Sequence, residues 1–468
     1  MSGGAYQSFG RATPPARRAI SAAEAIALLK SGGAGEGAIL PYGNGRSYGD
    51  SCQNGGGSVA DMRPLNRILG FDAETGVIEA EAGTLLSDII AYAAPHGYFP
   101  AVVPGTQFVT LGGAIANDVH GKNHHRRGSF GCHVVSFTLL RSDGRTYECS
   151  ASANSRLFAA TIGGMGLTGI ILSARLRLMP VPSLDVMEEI KPFAGLAEYF
   201  DLAEAADRDN EYAVAWIDQL AGGAGAGRGL IITGNHARYG ARAAKTAQAK
   251  LSVPFQPPFT VLNRPFLSAF NAAYRWRKGS ASGARQTGYQ GFFFPLDGVS
   301  NWNRLYGPRG LFQHQSVVPD EAARTAIPEL LAAARAAGQG SFLTVLKRFG
   351  TAHSPGLLSF ARPGYTLTLD FPNRGTATLA LLKELDAIAI GAGGAVNPYK
   401  DARMGAEVFA ASFPDWRELE AVRDPAFMSD LWARTARVLL DRGEVRPSDP
   451  FWIILQSGAV PEIIKGEG

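Results

Sequence analysis

What most limits the fold of this chain is glycine gathered in three clusters, each beside a segment that reads as a strand. Residues 41–50 read PYGNGRSYGD, residues 104–121 read PGTQFVTLGGAIANDVHG and residues 162–169 read IGGMGLTG. Bare backbone lets a loop approach a ligand without a Cβ in the way, and consecutive N–H groups on such a loop form a concave site for an anion. Gly43, Asn44, Gly45, Arg46, Ser47 and Tyr48 suit that use. Neither GxGxxG nor GxxxxGK[ST] can be placed on Gly43 to Asp50, so the familiar nucleotide loops are excluded there. One such loop alone is most simply a turn. Three of them can converge on one extended anionic ligand.

The 468-residue chain exceeds the size at which a single core stops growing, which predicts two domains or one divided domain. It carries 45 basic and 41 acidic residues with no long run of lysine and arginine, so nucleic acid is not an expected partner. Cys52, Cys132 and Cys149 are an odd number without CxxC spacing. That pattern argues against a disulfide framework and a structural zinc site; no metal is expected, and a reducing, cytoplasmic setting is. Arg17 and Arg18 precede an apolar stretch, but Glu24 and Lys30 interrupt it and spoil it as an export signal. No segment approaches the roughly 20 apolar residues of a spanning helix. Any membrane contact is therefore expected to be peripheral, at the inner face.

Ser21 and Glu24 form a capping box ahead of an amphipathic helix. NRILGFDAETGVIEAEAG alternates on both sides of Thr75 and Gly76 and predicts a hairpin, and VVSFTLLRSDGRTYECS predicts a second one turned at Asp143 and Gly144. Between them, TLLSDIIAYAAPHG reads as a helix capped by Thr84 and stopped by Pro95 and Gly97. A long alternating strand follows the third glycine cluster and stops at Pro180 and Pro182. Beyond it lie alanine-rich helices, a Pro/aromatic stretch over 253–276, and half-buried strands at 341–349 and 364–371.

Together the glycine clusters resemble the vanillyl-alcohol-oxidase type of FAD-binding flavoproteins. More narrowly, GRSYGDSCQNGGG, GGAIANDVHGKNHHRRGSFGCHV, GGMGLTGI, WNRLYGPRGLFQHQSVVP, SFLTVLKRFG and KDARM are similar to the decaprenylphosphoryl-β-D-ribose 2-oxidase family. The resemblance runs from about Phe9 to about Leu440. It implies an α+β fold in which a two-subdomain FAD-binding domain is made from residues 1–180 and 397–468, with a substrate domain on an antiparallel sheet, residues 181–396, inserted between them.

The resemblance also implies site residues. FAD is expected to bind non-covalently, because Arg46 stands where many relatives in the wider fold carry the histidine that attaches it. Tyr48, Gly105, Thr106, Thr110, Gly113, Ala114, Asn117, His120, Gly169 and Ile171 match positions that line FAD. Lys400 matches the leading catalytic candidate, either as a cation that stabilises developing negative charge or as the base, and His120 is the alternative base. Trp216, Tyr306, Gln313, Gln315, Lys347, Thr368 and Lys122 match the substrate pocket, the two lysines as point charges that orient a phosphorylated sugar. Two positions depart from the family. Asn397 stands where a flavin-lining tyrosine is usual, and Thr368 where many members carry a cysteine.

The activity so implied is oxidation of the 2′-hydroxyl of polyprenylphosphoryl-β-D-ribose to the 2′-keto sugar, the first half of an epimerisation that yields the arabinose donor for cell-wall polysaccharide. Implied partners are the lipid-linked phosphoribose, quinone or oxygen as electron acceptor, and a separate keto-sugar reductase. Two alternatives stay open: a flavin oxidase of a soluble sugar, polyol or aldonolactone, and a flavin-binding protein without catalysis. Retention of both His120 and Lys400 weighs against the last.

Overall fold

The computed structural model describes residues 6–443 apart from 246–248, 250, 281 and 282. The C-terminal stretch DPFWIILQSG, to which the sequence assigned no role, lies outside the described residues.

At the amino end the Ser21 side chain accepts from the Glu24 N–H and the Glu24 carboxylate accepts from the Ser21 N–H, so the capping box starts the helix Ala22–Lys30. Its buried Ala22, Ala25 and Leu29 pack on a three-stranded parallel sheet in the order Ala19–Ser21, Ser58–Asp61, Ile39–Tyr42. Next to it stands an antiparallel sheet in the order Ile68–Asp72, Val77–Glu81, Ile170–Pro180, Val134–Leu140, Thr146–Ser150, with Tyr98–Pro100 paired to the far end of Ile170–Pro180. Both predicted hairpins are present, with Gly76 and Gly144 in the left-handed conformation at their turns. The intervening helix, Leu86–Ala93, starts differently. Leu85 occupies the N-cap without a side-chain bond, and the Thr84 hydroxyl donates to the Arg67 carbonyl at 3.4 Å. Thr84 is drawn into the neighbouring loop and does not cap.

The second half is an eight-stranded antiparallel sheet in the order Arg285–Thr287, Val186–Phe193, Gly229–His236, Tyr212–Ile217, Val345–Phe349, Gly364–Pro372, Leu311–Val318, Ala395–Val396. Alternation along the strands sorts the two faces. Phe312, Leu346, Leu367 and Leu369 join a core with the helices Leu196–Asp209, Asp320–Ala336 and Thr376–Gly391, while the alternate residues face the other way. The strand expected from Ser341 begins only at Val345. Ser341 gives its N–H to the Gln219 side chain and its hydroxyl oxygen accepts from the Asp370 N–H, so side chains satisfy groups that a ladder would otherwise pair.

The carboxyl end then returns to the amino end. Phe427 pairs with Ile39 in a parallel bridge, the Gly55 N–H donates to Asp430 at 2.7 Å, and Arg434 forms an ion pair with Asp50 at 2.8 Å. The segment carrying Tyr399 and Lys400 is thereby held against the first glycine loop, where the Tyr48 N–H donates to the Tyr399 carbonyl at 3.3 Å.

Candidate active site

The first glycine loop leaves the strand Ile39–Tyr42 and is shaped by contacts that leave no room for side chains. A Cβ on Gly43 would lie 2.4 Å from the Thr110 hydroxyl. One on Gly45, whose φ is +60°, would lie 2.1 Å from the Tyr42 hydroxyl. Asn44 ties this loop to the second by donating to the Phe108 carbonyl at 2.8 Å. Thr110 in turn caps the short helix Leu111–Ala116 by accepting from the Gly113 N–H. The third loop is stitched to the same helix through Gly163 N–H to the Ile115 carbonyl and Met165 N–H to the Ala116 carbonyl, and it feeds directly into Ile170–Pro180.

All three loops open onto one cavity of about 600 Å³. Gly43, Asn44, Gly45, Arg46, Ser47, Tyr48, Gly105, Thr106, Thr110, Gly113, Asn117, His120, Gly169 and Ile171 line it. Ala114 does not; it is fully buried in the core behind that wall. The Arg46 guanidinium lies 5.7 Å from the Phe9 ring centroid and 5.5 Å from that of Phe108, and its Nε is buried without a partner. Burial lowers its pKa, with Asp297 opposing. That orphaned donor, beside glycines open to the cavity, suits the pyrophosphate of FAD.

The eight-stranded sheet forms the opposite wall through its register. Gln315 pairs with Thr368, Thr368 with Val345 and Val345 with Trp216, so four cavity-lining residues from four strands stand in one row. Gln313 opposite Asp370, and Lys347 opposite Thr366, flank that row. Gln315 is a junction: its amide nitrogen lies 3.1 Å from His120 Nε2 and 3.0 Å from the Thr366 hydroxyl, and its amide oxygen accepts from Asn397 at 2.9 Å. Since an amide nitrogen only donates, His120 Nε2 is an acceptor and the imidazole is neutral. Its ring stands 4.9 Å from Phe349 and 5.8 Å from Phe360. Burial first, then Lys347, His124 and Lys400, pushes its pKa well below the ordinary value.

Lys400 Nζ lies 4.5 Å from the centre of the Tyr48 ring. Burial lowers the Lys400 pKa to about 8, with Asp370 opposing. Lys347 is lowered further, to about 7, by burial and then by Lys400 and Lys122. Lys122 is turned aside: its ammonium donates to the Phe292 carbonyl and lies 4.4 Å from the Phe292 ring centroid. Tyr306 stands behind the wall, packed on Trp302 and Phe342, and does not line the cavity.

Several contributors have no signature in the sequence. Asp297 reaches back 190 residues to accept from the Gln107 N–H at 2.9 Å. Asp370 is fully buried, accepts from Gln313 at 2.5 Å, and has its pKa raised by burial to about 7. Phe270, Tyr274 and Phe293 form an aromatic stretch of the lining. Only the composition of the Pro/aromatic stretch over 253–276 hinted at Phe270 and Tyr274, and nothing in the sequence marked Phe293.

Arg46, Lys122, Lys347 and Lys400 line the cavity and Asp297 is the sole acid among the lining residues, so it is built for anions. Residues 17–150 match the family described as FAD binding domain. Over 448 residues, 91% of this chain and 96% of the relative, the sequence is 35% identical to decaprenylphosphoryl-β-D-ribose oxidase of Mycolicibacterium smegmatis. The chain belongs to the decaprenylphosphoryl-β-D-ribose oxidase family. More distant similarity reaches L-gulonolactone oxidase of Mus musculus, 32% identical over 37% of this chain and 38% of the relative. It also reaches D-lactate dehydrogenase of Anaerostipes hadrus, 28% identical over 41% of each. As a member of the decaprenylphosphoryl-β-D-ribose oxidase family the chain is an FAD-dependent oxidoreductase with the α+β fold of the vanillyl-alcohol-oxidase type. Among the described residues no helix is long and apolar enough to cross a membrane.

Proposed function

We propose that this chain oxidises the 2′-hydroxyl of a polyprenylphosphoryl-β-D-ribose to the 2′-keto sugar, as the first half of an epimerisation to the arabinose donor for cell-wall polysaccharide. The observation that carries this is one cavity in which glycine loops meet a buried lysine pair, Lys347 and Lys400, and an aromatic stretch. Near full-length similarity to a decaprenylphosphoryl-β-D-ribose oxidase supports the choice of sugar. Residues 1–180 and 397–468 make the FAD-binding part in this proposal, and 181–396 the substrate part. Gly43 to Tyr48 hold the pyrophosphate with Arg46, and the lining from Gly105 to Ile171 runs along the rest of the cofactor, with Ala114 supporting it from behind. FAD, held without a covalent bond, supplies the hydride acceptor.

The protein's own groups then divide the work. Lys347 gives the sugar phosphate a point charge, Lys122 swings from Phe292 to assist, and Trp216, Gln313, Gln315 and Thr368 orient the ring, with Tyr306 bracing that wall. Lys400, poised near neutrality, takes the hydroxyl proton or holds positive charge where negative charge develops. His120, neutral with its Nε2 lone pair accepting from Gln315 and its proton on Nδ1, is the alternative base, acting through Nε2 once Gln315 releases it. Electrons leave to quinone or oxygen, and a separate reductase consumes the keto sugar. Anaerobic bleaching of the flavin tests the substrate: the lipid-linked phosphoribose should bleach it and free sugars should not. Bleaching by free sugars alone would assign the enzyme to soluble substrates.

A further inference from the structure

Between Asp218 and Asp297 the chain has ten basic residues and no acidic one, although its formal charge as a whole is only +4. Among the described residues, the same stretch holds the most exposed aromatics. Phe255, Phe259 and Trp276 are 69%, 65% and 76% exposed. Its centre is the helix Arg264–Gly279, which has Asn263 as an N-cap and carries four basic residues. At helical spacing, Phe266, Ala269, Phe270, Ala273 and Trp276 share one exposed face, and Arg277 sits within it. The opposite side buries Leu267 and Asn271 against the protein. Phe270 is exposed and also lines the cavity, so this helix stands at the cavity's opening.

We infer that the exposed face of Arg264–Gly279, with the Phe255 and Phe259 loop, docks on an anionic lipid bilayer and sets the cavity opening against it. Aromatic side chains beside lysine and arginine match a membrane interface, where rings lie at headgroup depth and cations meet lipid phosphates; Asp218 and Glu188, which lie against this stretch, are ion-paired with Arg228 and Arg285 at 2.8 Å. A protein partner's apolar groove would not select for the eight basic residues that remain once Arg228 and Arg285 are paired with Asp218 and Glu188. The inference rests on the lipid-linked substrate proposed above only for the benefit of such docking; the contact itself needs no substrate.

Flotation of the FAD-loaded protein with vesicles tests it. Binding is expected to vesicles of phosphatidylcholine with phosphatidylglycerol, to fall with added salt, and to be weak with phosphatidylcholine alone. Arg277→Gln should lower the partition coefficient about fivefold. The pair Phe266→Ser and Trp276→Ser should abolish flotation while leaving flavin bleaching by detergent-dispersed lipid-linked sugar unchanged. No flotation of the wild-type protein, equal flotation of the variants, or binding to a nucleic acid in place of vesicles would overturn the docking. Intact flotation with bleaching by free sugars alone would sink the substrate assignment and leave the docking standing.

Discussion

Replacing Lys400 by methionine should make the protein more stable and much slower, and the two effects have separate origins. Burial lowers the Lys400 pKa from an ordinary 10.5 to about 8. That difference opposes the charged form by about 3 kcal/mol. The Tyr48 ring, 4.5 Å from Nζ, returns up to about 2 kcal/mol by cation–π attraction. Methionine fills similar space without charge, so the flavin-free variant should gain about 1 kcal/mol near neutral pH, roughly 1 °C in a chain of this length. The sign with pH follows from linkage. Unfolded lysine binds its proton below 10.5 and the folded one only below about 8, so the wild-type penalty is complete below pH 8 and vanishes as pH rises through 10.5. Melting temperatures across that range measure it. With FAD content matched, single-turnover bleaching should slow by about a hundredfold or more, the scale of losing an acid–base group. A variant that bleaches at the wild-type rate would remove Lys400 from the reaction and leave His120 as the base. A variant less stable than wild type below pH 8 would refute the burial argument.

Other outcomes follow from the same site. Acid precipitation should release the yellow colour into the supernatant, since Arg46 cannot bond the flavin; colour retained in the pellet would mean a covalent link. Gly43→Ala should cut the FAD bound per chain, because its Cβ would fall 2.4 Å from the Thr110 hydroxyl that caps Leu111–Ala116; absorbance at matched protein concentration reads this. Binding of a sugar phosphate at pH 8 should take up protons, because an anion beside Lys347 raises its pKa from about 7. Calorimetry in buffers of different ionisation enthalpy would detect the uptake, and no buffer dependence would place the phosphate elsewhere.

The glycine loops were legible because close backbone approach permits only glycine, and such positions stand out in any sequence. Gln313, Gln315, Lys347 and Thr368 were found by resemblance, and their register across the sheet explains why residues from separate strands act together. Asp297 and Asp370 were not legible: each is a carboxylate in an ordinary context whose partners lie 190 and 57 residues away. Thr84 misled for the opposite reason, since its local pattern fits a cap while a tertiary contact claims its hydroxyl.

The return of the carboxyl end has a consequence for biosynthesis. Asp430 and Arg434 hold the stretch around Asp50 and Gly55, and Tyr399 receives the Tyr48 N–H. A ribosome delivers the first glycine loop early and its clasp nearly four hundred residues later. Through most of synthesis the cofactor cradle is therefore made but unfastened, and its backbone donors face water. Cofactor capture becomes a late event, so a truncation before Arg434 should leave a nascent protein that folds its sheets yet loses its flavin.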